Sequence, residues 1–151
     1  MIINVLNQIN FKCMTKISSF EKVIQQYDAI FFDAFGVLKN YNGLIEGVVE
    51  TIYKLHNDQK QIFILTNDSS RSPFELAKRY QQQGIDLITE ENMISSGMLA
   101  REYLQLKIKK GTIAYLGTKN SAHYVENLGL PTLPISEVQP ENFSDISALV
   151  L

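Results

Sequence analysis

The sequence predicts an α/β protein built on a mainly parallel sheet. Four short apolar runs, at residues 29–32, 62–65, 113–116 and 148–151, recur along the chain. Each has about the length of a buried strand and is hydrophobic without alternation, the pattern of a parallel strand covered on both faces. Between them lie stretches whose apolar residues fall at helical spacing. Strand alternating with helix implies right-handed crossovers and an open sheet between helix layers, a Rossmann-like three-layer sandwich.

Taken in order, residues 1–24 read as an amino-terminal extension followed by a helix. Residues 1–11 are broken by Asn4, Gln8 and Asn10 and lack the continuous apolar centre of a signal peptide. Met14 offers a second start, and Ser18-Ser19-Phe20-Glu21 has the form of a helix cap. The first strand then runs into Asp33. Val48, Ile52 and Leu55 form one apolar stripe of a helix leading to the second strand. Ser72-Pro73-Phe74-Glu75 is a capping box with proline at the first helical position, and Gly84 supplies the matching stop. Leu99, Tyr103 and Leu106 form a third stripe. Ala122, Val125 and Leu128 form a fourth, closed by Gly129. Residues 131–140 read as loop, and the chain ends inside the apolar run ISALVL, which reads as a truncation.

Composition narrows the function. Hydrophobic residues make up 45% and charged residues 20%, the balance of a soluble globular protein. A formal net charge of −2 provides no basic field for nucleic acid or anionic lipid. The single cysteine, Cys13, excludes an internal disulfide framework and fits a reducing compartment. No apolar run approaches the roughly 18 residues needed to span a bilayer. A cytoplasmic location is therefore expected. His56 and His123 sit on predicted helices with no metal-ligand spacing around them. Arg71 and Arg101 are candidate anion contacts, though solvated helix-face arginines are commoner.

Two segments carry chemistry. In AIFFDAFGVL, residues 29–38, a hydrophobic strand delivers Asp33 to its carboxyl end, where parallel sheets bind ligands. Gly36 permits a tight turn there, so that backbone N–H groups can approach an anion. An aspartate that merely caps a turn explains this segment equally well. In IFILTNDSSR, residues 62–71, a second strand empties into Thr66 and Asn67, a hydroxyl and an amide able to hold phosphate oxygens. Helix capping is the alternative for this segment, and Ser69 and Ser70 need do no more than that.

Together these segments resemble the haloacid dehalogenase superfamily, over roughly residues 25–151. The first is similar to its nucleophile motif and the second to its threonine/serine motif, with the Thr-Asn pair of the class IIA, sugar-phosphatase-like branch. Asp33 and Thr66 stand 33 positions apart, which leaves no room for the helical cap that other branches insert between these motifs. Gly117-Thr118-Lys119 also resembles that branch. The resemblance implies that residues 25–151 are the first part of the core, with the cap and the remaining core missing. It also implies a Mg²⁺-dependent phosphatase acting on small phosphorylated metabolites through an aspartyl-phosphate. Asp33 would be nucleophile and metal ligand, and the backbone carbonyl of Phe35 the second metal ligand. Thr66, Asn67 and the turn at Gly36 would bind the phosphoryl group.

The chain departs from the family at one catalytic position. A second aspartate normally follows the nucleophile by two residues and acts as general acid and base, an effect worth about 10²–10⁴-fold. Here that residue is Phe35. The family's lysine and final acidic motifs lie beyond the cap, and no glycine-aspartate-rich loop follows Leu87. This chain alone is therefore expected to bind Mg²⁺ poorly and turn over little. A non-catalytic phospholigand- or partner-binding protein of the same fold is the main alternative. The Asp-Ala-aromatic-Gly segment also resembles the haloacid dehalogenases proper, but their cap between the two motifs has no counterpart here. A receiver-like module would need an acidic pair near the first strand, and residues 29–32 supply none. An open sheet edge at Leu151 would favour a homo-oligomer.

Overall fold

The structure, a computed structural model, describes residues 19–151; the readings made of Cys13, Met14 and Ser18 lie outside them. The chain opens with helix α1 (Phe20–Ile24), whose Ser19 cap accepts a hydrogen bond from the Lys22 N–H. Strand β1 (Ala29–Asp33) follows, then a small antiparallel hairpin of β2 (Lys39–Asn40) and β3 (Gly43–Leu44). Helix α2 (Val48–Asn57) leads to β4 (Gln61–Thr66), and α3 (Pro73–Gln81) leads to β5 (Met93–Ser95). Both halves of the Ser72–Glu75 capping box form, and Gly84 adopts φ +93°, so the signals read in the sequence do set the limits of α3.

Strands β1, β4 and β5 lie side by side in that order, all parallel. In this register Asp33 pairs with Leu65, and Thr66 pairs with Ser95, so all three strands deliver polar residues to one edge. Helices α2 and α3 cover one face of this sheet. Ile52, Leu55, Leu76 and Tyr80 pack there against Phe32, Ile62, Ile64 and Met93. The opposite face carries Phe31 and Phe63, stacked 4.9 Å apart, and Leu65; the described residues leave it open.

Helix α4 (Ser96–Lys107) starts directly from β5 under a Ser95 cap. A second sheet follows, of β6 (Thr112–Tyr115), β7 (Thr132–Pro134) and β8 (Ile146–Val150), in the order β7-β6-β8 and again all parallel. The four apolar runs thus become strands, but they divide between two sheets rather than joining one. Between β6 and β7 lies only a short helix, α5 (Lys119–Ala122).

Two helical expectations need correction. The fourth stripe does not lie on a long helix, because α5 stops at Ala122 and the chain turns through Asn127 (φ 60°) and Gly129 (φ 78°). Ala122 and Val125 are buried regardless, by the turns that replace the helix. The third stripe lies on α4 but points outward, with Leu99, Tyr103 and Leu106 all about three-fifths exposed. That helix buries Gly97 and Leu104 instead. Gly97 faces the Tyr124 ring so closely that a β-carbon would lie 2.5 Å from it. Among the described residues, no helix is long and apolar enough to cross a membrane.

Candidate active site

Asp33 is the last residue of β1, so its backbone is fixed by sheet pairing while its side chain projects beyond the strand. The chain then folds back sharply. Leu38 and Lys39 both donate to the Ala34 carbonyl at 3.0 Å, and the Gly36 N–H donates to the Lys39 carbonyl at 2.7 Å. Gly36 adopts φ +88°, a conformation costly for other residues, and its N–H is already used in closing the turn. Among the described residues, the N–H groups of Phe35 and Val37 are not donors to any protein acceptor. The Ala34 N–H donates to Asp33 Oδ1 at 2.7 Å, which orients the carboxylate and leaves its other oxygen uncommitted.

Thr66 ends β4 beside Asp33. Its hydroxyl oxygen accepts from the Asp68 N–H at 3.1 Å, which leaves the hydroxyl proton available to donate. Asp68 accepts from the Ser70 N–H at 3.0 Å and the Ser70 hydroxyl at 2.6 Å, stiffening the loop into α3. Burial pushes the Asp68 carboxyl upward, but the Ser70 hydrogen bonds and the charges of Lys39 and Arg71 outweigh it, and its pKa ends below the ordinary value.

A cavity of about 310 Å³ is lined by Asp33, Phe35, Lys39, Thr66, Asn67 and Asp68. The structure therefore brings Asp33, Thr66, Asn67 and Phe35 together, and it adds Lys39 and Asp68, to which the sequence reading gave no role. Asp68 stood within the second motif, next to Asn67. Lys39 arrives only because the turn folds it back against residues 34–36. Phe35 is half-exposed at the rim and meets Tyr41 edge-on at 4.9 Å. Arg71 and Arg101 serve the protein itself. Arg71 donates to the Ser70 hydroxyl at 3.0 Å, and Arg101 donates to the carbonyls of His123 and Glu126 at 2.9 and 3.0 Å.

A family model for haloacid dehalogenase-like hydrolases matches residues 30–131, a span that includes both motifs and most of the described chain. The chain belongs to that family. A solved structure from Cytophaga hutchinsonii, described as a possible sugar phosphatase of the haloacid dehalogenase superfamily, superposes with a TM-score of 0.82 at 45% identity. It covers 91% of this chain and 49% of that one. Phosphoglycolate phosphatase 2 of Arabidopsis thaliana is 29% identical over 89 residues, 59% of this chain and 30% of its own length. A glycerol phosphate phosphatase of Mycobacterium tuberculosis, solved in complex with magnesium, shares the fold with a TM-score of 0.65 at 23% identity, covering 74% of this chain and 33% of that one. The chain thus spans a half or less of the length of these relatives.

Mg²⁺ binds through one or two carboxylates, retains several waters and takes phosphate oxygens as further ligands. No group of three or more acidic, histidine or cysteine side chains able to hold a metal occurs among the described residues. Asp33 Oδ1, which keeps a lone pair beside the Ala34 N–H, and the Phe35 carbonyl, which accepts none of the turn's backbone hydrogen bonds, supply two hard oxygen donors on one turn and leave the other carboxylate oxygen free. That donor set suits Mg²⁺ held jointly with a phosphate ester.

Proposed function

We propose that this chain carries the nucleophile and phosphate-binding part of a Mg²⁺-dependent phosphatase acting on small phosphorylated metabolites. One observation carries the reading: the Asp33 carboxylate and the Thr66 hydroxyl stand on one cavity at the carboxyl ends of neighbouring parallel strands. The free carboxylate oxygen of Asp33 attacks phosphorus, the bond to the ester oxygen breaks, and an aspartyl-phosphate forms that water later hydrolyses. Thr66, Asn67 and the N–H groups of Phe35 and Val37 hold the phosphoryl oxygens. Mg²⁺, held by Asp33 and the Phe35 carbonyl, would offset the repulsion between carboxylate and phosphate. The resemblance puts the cap after the second motif and the βα units that follow it, and in this branch the cap would govern substrate choice. The names of the similar proteins, phosphatases of small phosphate esters, support the substrate class.

Phe35 shapes the expected kinetics. It cannot protonate a leaving oxygen, so esters with acidic leaving groups should react best. The same residue favours a second reading, in which the site binds a phosphorylated ligand without turnover. Hydrolysis of a phosphate-ester panel by the longest natural chain carrying this sequence separates the two. The expected result is Mg²⁺-dependent turnover that falls on the order of 10³-fold or more in Asp33→Asn. Saturable binding of the same esters with no turnover would instead establish the binding reading.

A further inference from the structure

Of the residues lining the cavity at Asp33, Lys39 alone is cationic. We propose that Lys39 is an anion-binding residue of this site, its ammonium group receiving phosphoryl oxygens of a ligand held against Asp33. The inference rests on reading the Asp33 cavity as a phosphate-ester site, and it assigns to the turn itself a cation that neither motif contains.

Three features support it. The backbone of Lys39 is tied into the nucleophile turn at both ends, through its N–H to the Ala34 carbonyl and its own carbonyl from the Gly36 N–H. Its position relative to Asp33 is therefore set by the same hydrogen bonds that set the turn. Its side chain is half-buried, with Nζ 5.7 Å from the centroid of the buried Tyr80 ring, a cation–π contact that restricts the ammonium group. Finally, Lys39 has no carboxylate partner; the one salt bridge among the described residues joins Lys54 to Glu21. Its charge does reach Asp68 across the cavity and helps to hold that carboxyl in its ionised form. A phosphate ester entering beside Asp33 and Asp68 meets two negative charges and one unpaired positive charge, and the positive one is the attractive contact.

A purely structural lysine, kept for its packing on Tyr80, is the competing account. Phosphorus NMR titration of the longest natural chain carrying this sequence with inorganic phosphate in the presence of Mg²⁺ decides between them, using wild type, Lys39→Met, Lys39→Arg and Thr66→Val. The proposal expects Lys39→Met to weaken phosphate binding about 10-fold or more, Lys39→Arg to keep most of it, and the Lys39→Met deficit to shrink at high salt. Thermal melts of each variant report folding separately from binding. Lys39→Met that binds phosphate like wild type while Thr66→Val is impaired overturns the role of Lys39 alone. Absence of saturable binding in the folded wild type overturns the phosphate-site reading and this inference with it.

Discussion

Residues 19–107 and residues 108–151 each contribute a three-stranded parallel sheet, and the two are buried very differently. The first surrounds a cluster of fifteen buried side chains that runs from Ile24 through Ile64 to Met93. The second gathers only Ile113 and Val125 around Leu104 of α4, with Tyr115, Leu128 and Val150 only partly covered. Its outer strand leaves Leu149 half-exposed, and Phe143 and Ile135 border an open apolar cavity of about 350 Å³. Every candidate catalytic residue belongs to the first region. On the proposed reading a carboxylate and a hydroxyl must meet one phosphate, which needs strands that do not move, and the deeper core supplies them.

The two regions meet at a small polar clasp. The Ser95 hydroxyl donates to the Tyr124 hydroxyl at 2.8 Å, and Tyr124 donates onward to the Arg71 carbonyl at 2.7 Å. Gly97 lies flat against the same tyrosine ring. Tyr124 thus ties the second region to the start of α4 and to the loop that carries Thr66, Asn67 and Asp68.

The contrast in burial can be broken most easily by chemical denaturation of paired truncations. Ile64→Ala, at a fully buried position of the central strand, is expected to cost about 2–5 kcal/mol, whereas Leu149→Ala should stay within about 0.5 kcal/mol. Equal losses would show that the second sheet is as tightly built as the first. A smaller effect is expected at the clasp. Tyr124→Phe leaves the Ser95 hydroxyl and the Arg71 carbonyl without their partner and should cost about 1–2 kcal/mol. Hydrogen exchange should show the loss as faster opening of β6 than of β4, and uniform acceleration would contradict the clasp.

The smallest effect at neutral pH is expected inside the first core. The Tyr80 hydroxyl is buried and finds no hydrogen-bond partner among the described residues, so Tyr80→Phe should be nearly neutral or slightly stabilising. Burial, followed by the negative charges of Asp68 and Asp33, pushes the Tyr80 phenol up to about 12. The unfolded chain releases that proton near pH 10 and the folded chain does not, so stability falls as pH rises from about 10 through about 12. Stability–pH curves of wild type and Tyr80→Phe should therefore diverge above about pH 10, with the mutant losing less. Parallel curves would place the alkaline loss elsewhere.

Much of this was legible in the residues. A continuous apolar run followed by Asp33, and another followed by Thr66-Asn67, mark strand ends because burial and polarity change there within one residue. The Ser72–Glu75 box and Gly84 bound α3 through purely local hydrogen bonds and dihedral limits, which is why they read correctly. Longer-range facts were hidden. Residues 113–116 resemble residues 62–65 in length and hydrophobicity, and nothing in either run says which sheet it joins. The stripe Leu99, Tyr103 and Leu106 defines a helix face without defining what lies opposite it; the contact of Gly97 with Tyr124 turns that face outward. Lys39 and Asp68 reach the cavity only through the closure of two loops, a geometry that spacing does not encode.

The central claim is that Asp33 becomes covalently phosphorylated. Borohydride trapping of the longest natural chain, incubated with Mg²⁺ and an activated phosphate ester and then mapped by mass spectrometry, tests it directly, because reduction converts an aspartyl-phosphate to homoserine. The account predicts homoserine at position 33 and at no other aspartate, and none in the Asp33→Asn protein. Ester hydrolysis proceeding with position 33 unmodified would contradict it.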